Sequence, residues 1–109
     1  MLIIVDLLRN DLAKFSNPGT VKAERLFSIE EYSSVYQMVS EVTSQLPVDT
    51  SFYEIIKSLF PSGSITGAPK LRTIQLIKQI EDSSRGIYTG AIGYILPNND
   101  MCFNVAIRT

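Results

Sequence analysis

Residues 87–109 read IYTGAIGYILPNNDMCFNVAIRT. Two runs rich in β-branched, aromatic and other apolar residues, Ile87 to Leu96 and Met101 to Thr109, flank Pro97-Asn98-Asn99-Asp100. A strong turn signal between two such runs predicts a β-hairpin. Alternation along the second run puts Met101, Phe103, Val105 and Ile107 on one face, and Cys102, Asn104, Ala106 and Arg108 on the other. The first face reads as core. The second is small and polar and carries one cation.

Working upstream, Leu71, Ile74, Ile77 and Ile80 recur every three residues with Leu76 beside them, which predicts a helix with one buried face. Pro69 suits its first turn, and Ser83-Ser84-Arg85-Gly86 breaks it. Pro61 to Gly67 reads as a loop. Ser51 can cap an earlier helix with Glu54 as its reciprocal partner, and Ile55, Ile56, Leu59 and Phe60 supply the apolar face. Val35, Met38, Val39, Val42 and Leu46 follow helical spacing up to Pro47, which predicts a helix there too. Thr20 to Ile29 is expected to contain a strand. Leu2 to Val5 reads as a short buried strand, and Leu7 to Phe15 as a helix closed by Ser16-Asn17-Pro18-Gly19. The fold class expected is α+β, with antiparallel strands packed against helices.

The chain has 109 residues, the size of one compact domain rather than two. Its apolar runs are only a few residues long, too short to span a membrane. Met1 to Val5 is apolar, but no basic flank precedes it and Asp6 follows, so it is no signal peptide. A cytoplasmic location is the default expectation. Net charge is −1 with no basic stripe, which gives no support for nucleic-acid binding. Cys102 is the single cysteine, so no disulfide can form within the chain. Histidine is absent, which excludes a Ser-His-Asp or Cys-His mechanism and His-ligated zinc within these residues.

The richest stretch for chemistry is Gly63-Ser64-Ile65-Thr66-Gly67-Ala68-Pro69-Lys70. Its glycines allow close backbone approach, its hydroxyls can donate to a carboxylate, and a helix start follows. It reads either as a small-anion site or as a tight, capped loop-to-helix turn. It is not a Walker A loop, because the spacing is wrong and no Ser or Thr follows Lys70. Arg108 can hold a carboxylate through paired hydrogen bonds, or form a salt bridge at the rim. Tyr88 and Tyr94 are placed on one strand face with Gly90 and Ile92 between them, either beside a ligand or as core aromatics. Asp6, Arg9, Asn10 and Asp11 form a cluster that a plain helix-surface pairing also explains. Gln37 falls off its apolar stripe and reads as solvent-exposed.

Taken together, the stretches Val5 to Leu12, Gly19-Thr20-Val21, Phe60 to Lys70, Ile87 to Tyr94 and Ala106 to Thr109 resemble the chorismate-utilising enzyme family, in matching order and spacing from the first residue to the last. Within that family the Gly63–Lys70 stretch is similar to the aminodeoxychorismate synthase form. Anthranilate synthases more often carry threonine where Ser64 stands. The resemblance implies a substrate, chorismate, that is a dianion. It implies that Ser64 contacts the ligand, that Tyr88 and Arg108 hold carboxylate or ether oxygens of its side chain, and that Thr66 and Gly67 shape the pocket. Gln37 stands where many members have histidine, and Lys14 where some have arginine.

The resemblance further implies that residues 1–109 are a partial chorismate-binding domain, truncated at both ends and drawn from a larger α/β sandwich. The family's magnesium-binding glutamates and the lysine nucleophile of aminodeoxychorismate synthases fall outside these residues, so no metal ligand and no catalytic residue is assigned here. The parent enzyme would use Mg2+, take ammonia from a glutamine amidotransferase subunit, and serve para-aminobenzoate and folate biosynthesis. Cut strand edges at Leu2–Val5 and Phe103–Ile107 are expected to make the fragment self-associate. Two other readings stay open: an anthranilate synthase component I, and a noncatalytic small-anion binding module.

Overall fold

The computed structural model describes residues 2–108. The chain is α+β and divides into two compact units, Met1–Leu59 and Phe60–Thr109.

The first unit begins with α1 (Leu2–Ala13), followed by β1 (Lys22–Glu31), β2 (Tyr36–Thr43) and α2 (Phe52–Leu59). Leu2–Val5 is therefore the first turn of a helix and not a strand, and it offers no strand edge. A four-residue apolar run fits a buried strand and a helix segment equally well, and here the neighbours decide. Val5, Leu8 and Leu12 share one helical face; Val5 is buried and the two leucines are half-buried. Asp11 is buried on the same helix, where its carboxylate accepts a hydrogen bond from Lys14 at 2.8 Å. Ser16 ends the helix by donating its hydroxyl to the Leu12 carbonyl at 2.6 Å.

The helix expected over Val35–Leu46 is instead strand β2, antiparallel to β1 with Lys22 opposite Thr43 and Glu31 opposite Tyr36. Tyr36, Val39, Val42 and Thr43 belong to the residue types that fit a pleated surface, and cross-strand pairing outweighs the helical spacing. Gln37 sits opposite Glu30 and is exposed. Register shifts around Arg25 bend β1. There Phe27 takes a left-handed conformation, and its N–H donates to the Ser40 hydroxyl at 3.1 Å. Arg25 spans the strands, giving Glu41 two hydrogen bonds of 2.9 and 2.8 Å. Those bonds hold the guanidinium's pKa above its ordinary value. At α2 the reciprocal cap forms as expected: the Glu54 N–H donates to the Ser51 hydroxyl at 3.3 Å, and the Ser51 N–H donates to the Glu54 carboxylate at 2.9 Å.

The second unit holds α3 (Gly63–Thr66), α4 (Lys70–Ile80) and a hairpin of β3 (Ala91–Ile95) with β4 (Met101–Val105). On α4, Ile74 and Ile77 are half-buried, but Leu71, Leu76 and Ile80 are exposed, so the expected buried face is only partly covered. The hairpin turn closes where the Leu96 N–H meets the Asp100 carbonyl at 2.8 Å and Asn99 adopts a left-handed φ of 69°. Gly93 lies under the partner strand; a Cβ there would come within 2.0 Å of the Cys102 carbonyl oxygen. Both strands are shorter than expected. Residues 87–90 form a turn, so Tyr88 precedes β3 and shares no strand face with Tyr94. β4 stops at Val105, and Arg108 lies beyond it with φ 59°, so the alternation that put Arg108 on a strand face fails at its last step. Thr109 lies outside the described residues.

Among the described residues the buried apolar side chains are Val5 and Ala106, one in each unit. No described helix is long and apolar enough to cross a membrane.

Candidate functional site

Ser64, Thr66, Gly67, Tyr88 and Arg108 all fall in the second unit. The first three come together on α3, a single turn that the sequence presents as a loop. Ser62 caps that turn: its hydroxyl accepts from the Ser64 N–H at 3.3 Å. The Ser62 and Ser64 hydroxyls are also hydrogen-bonded to each other, 2.9 Å apart. With Ser62 as donor, the exposed Ser64 hydroxyl keeps its proton for an outside acceptor. Thr66 behaves differently. It is buried, with its hydroxyl 3.1 Å from the Gly67 carbonyl and 3.4 Å from the Ser62 carbonyl, so its one proton points inward. Gly67 ends the turn at φ 74°, a region where any side chain is strained, while its N–H donates to the Gly63 carbonyl at 2.8 Å.

Tyr88 and Arg108 flank the open end of the hairpin. The Thr89 N–H donates to the Ala106 carbonyl at 2.7 Å, and the Ala106 N–H donates to the Gly90 carbonyl at 3.0 Å. These bonds tie the 87–90 turn to Ala106, the residue after β4, and Tyr88 lies in that turn, outside the ladder. Tyr88 is half exposed. Arg108 is exposed, and among the described residues it makes no ion pair or hydrogen bond. A guanidinium without an ion pair among the described residues, an exposed hydroxyl beside a helix turn and a phenol are each groups that can donate to a carboxylate. No hydrogen bond joins the α3 hydroxyls to Tyr88 or Arg108 among the described residues.

Sequence reading missed Ser62 and Arg85. The signal for the first was a serine one residue ahead of a helix start. For the second it was an acidic and a basic residue at i, i+4, Glu81 and Arg85. A cleft in the first unit, about 430 Å³ and lined by Leu8, Leu12, Val39, Val42 and Leu59 together with Arg25 and Glu41, contains none of the five candidate residues. Among the described residues no group of three or more Asp, Glu, Cys or His could hold a metal ion.

The arrangement can be set beside known proteins. Over 108 residues the chain is 44% identical to aminodeoxychorismate synthase component 1 of Bacillus subtilis, covering 99% of this chain and 23% of that protein. It is 41% identical over 108 residues to anthranilate synthase component 1 of Aquifex aeolicus, covering 99% of this chain and 22% of that one. The crystal structure of anthranilate synthase component I from Streptococcus pneumoniae superposes with a TM-score of 0.88 at 34% identity, over 98% of this chain and 25% of that one. The chain thus spans under a quarter of the length of these two relatives. The family described as chorismate binding enzyme matches residues 1–109. With its α+β fold shared and every residue matched, the chain belongs to the chorismate binding enzyme family.

Proposed function

We propose that residues 1–109 form the carboxylate-binding wall of a larger enzyme that converts chorismate to 4-amino-4-deoxychorismate, on the route to para-aminobenzoate and folate. Arg108 carries the reading: a family chain whose acids leave this guanidinium unpaired among the described residues. Arg108 holds a substrate carboxylate by paired hydrogen bonds, Tyr88 donates from the side, and Ser64 donates from α3. Thr66 and Gly67 keep α3 in shape. The B. subtilis relative, named as an aminodeoxychorismate synthase component, supports the amination at C4. Mg2+ is the proposed cofactor of the complete enzyme, held by side chains outside these residues. The proposed partner is a glutamine amidotransferase subunit that supplies ammonia, and the proposed location is the cytoplasm.

A second reading, anthranilate synthase, is favoured by the A. aeolicus and S. pneumoniae relatives. Product analysis of the complete protein with chorismate, magnesium and ammonia separates the two. Aminodeoxychorismate supports the first reading, and anthranilate the second. In the same protein Arg108→Lys removes the fork that grips a carboxylate. A charged hydrogen bond contributes about 1.5–3 kcal/mol, so kcat/KM should fall by roughly one to two orders of magnitude with little change in melting temperature. Unchanged kinetics would refute the assignment.

A further inference from the structure

The turn carrying Tyr88 is held by a side chain that sequence reading took only as part of a helix break. Arg85 donates through Nε to a Glu81 carboxylate oxygen at 2.8 Å and through a terminal nitrogen to the other oxygen. Its remaining terminal nitrogen donates to the Thr89 hydroxyl at 3.3 Å. Its guanidinium carbon stands 6.0 Å from the centre of the Tyr88 ring. The Arg85 carbonyl accepts the Tyr88 N–H at 3.1 Å. Glu81 is the C-cap residue of α4, its N–H donating to the Ile77 carbonyl at 2.9 Å.

From these contacts we infer that Arg85 is a positioning residue: anchored on the end of α4, it fixes the Tyr88–Thr89 turn and so sets the Tyr88 ring for the chorismate side chain. The inference rests on the substrate reading proposed above. An exposed glutamate–arginine pair one helical turn apart is by itself worth little. The third contact is what matters here. Thr89 is β-branched yet has φ 66°, a conformation such residues rarely adopt. The Gly90 N–H closes the turn on the Ile87 carbonyl at 2.9 Å, and a Cβ on Gly90 would stand 3.0 Å from that oxygen. Strained turns persist only where their surroundings hold them. Arg85 holds Thr89 by its hydroxyl while lying against the ring of Tyr88. A planar, fixed fork can serve Glu81 and Thr89 together; a lysine ammonium on a flexible stem cannot reproduce that geometry.

The test uses the complete protein with 3-fluorotyrosine incorporated, where Tyr88→Phe identifies the Tyr88 fluorine signal by its loss. Arg85→Gln should shift and broaden that signal while leaving the Tyr94 signal in place. It should also raise KM for chorismate about tenfold with kcat less affected. In the Tyr88→Phe background the same change should add less than about twofold, because the ring it orients has lost its hydroxyl. Arg85→Lys is read the same way and covers a failure of the glutamine variant to fold. A Tyr88 signal unmoved by either change, or equal kinetic losses in both backgrounds, overturns the inference. If Tyr88→Phe itself leaves chorismate kinetics unchanged, the substrate reading falls, and the fluorine signal still decides whether Arg85 sets the ring.

Discussion

The two units are built from the same parts and dispose of their charges differently. Each has a two-stranded antiparallel sheet and helices. In the first, Arg9, Lys14 and Arg25 close on Asp6, Asp11 and Glu41 of the same unit. In the second, Arg85 closes on Glu81, but Arg108 has no acid of its own among the described residues. Helix and strand content therefore says little about which unit carries a site. An unpaired cation does not by itself mark a site, since Lys22 and Lys57 of the first unit also make no ion pair among the described residues.

The largest expected effect tests both units at once. A polypeptide of these 109 residues should leave chorismate unchanged in the presence of magnesium and ammonia, since they span under a quarter of the length of the relatives they match. It should also self-associate. Buried apolar side chains among the described residues are only Val5 and Ala106, while Ile29, Leu71, Ile80 and others stand more than 70% exposed. Burying apolar surface is worth about 25 cal/mol per Å², so a second copy can recover part of what is exposed. Turnover above a no-protein control would break the first expectation. A monomer at high concentration by sedimentation velocity would break the second.

A pair of glycines sharpens the contrast. Gly93→Ala places a methyl group where the Cys102 carbonyl oxygen lies 2.0 Å away and the Phe103 ring 2.5 Å away. The β3–β4 ladder must shift, at a cost of about 3 kcal/mol. Gly19→Ala in the first unit meets nothing within 4 Å, and its strain comes only from φ 76°. That left-handed conformation should cost about 1 kcal/mol. Thermal unfolding of the two variants gives the order, and a larger loss for Gly19→Ala would show the hairpin to be more plastic than its register implies.

How much was legible in the sequence divides along the same line. The hairpin, the Ser51–Glu54 cap, α4 and the clustering of Ser64, Thr66 and Gly67 follow from local signals: a turn tetrapeptide, a capping pair, a helix-starting proline. The two inverted assignments, Leu2–Val5 and Val35–Leu46, lie in the first unit. The first rests on a short apolar run, which fits strand and helix alike, and the second on apolar spacing, which informs only when one face is buried. β2 has no buried residue, so its valines carried no usable phase. The end of β4 was misplaced because alternation cannot announce that the ladder stops at Val105, three residues before the positive φ of Arg108. For Arg85 only the pairing with Glu81, at i, i+4, was legible; its contact with the turn was not. Its role depends on Thr89 folding back toward it, and no spacing rule encodes that.

The smallest expected effect compares two carboxylates that are both held below their ordinary pKa of 4.5. Glu54 in the first unit is lowered chiefly by the backbone N–H of Ser51, then by that residue's hydroxyl. Glu81 in the second is lowered chiefly by hydrogen bonds from Arg85, with the attraction of its charge adding to them. A carboxylate with a depressed folded-state pKa stabilises the fold above its unfolded value, and that contribution is lost as pH falls through the folded-state value. Both contributions should therefore fade in acid, below about pH 4.5, and be flat through neutrality. Salt should tell them apart. Raising ionic strength from 0.1 to 1 M shortens the screening length from about 10 to about 3 Å. The donors on Glu54 are neutral, so its titration should stay where it is. Glu81 is bonded to a cation, so its midpoint should move back toward the ordinary value. Carboxyl carbon-13 titrations of the two residues at both ionic strengths provide the measurement. A Glu81 midpoint indifferent to salt would mean that Arg85 holds it by hydrogen-bond geometry alone, and charge would then contribute nothing to fixing the turn that carries Tyr88.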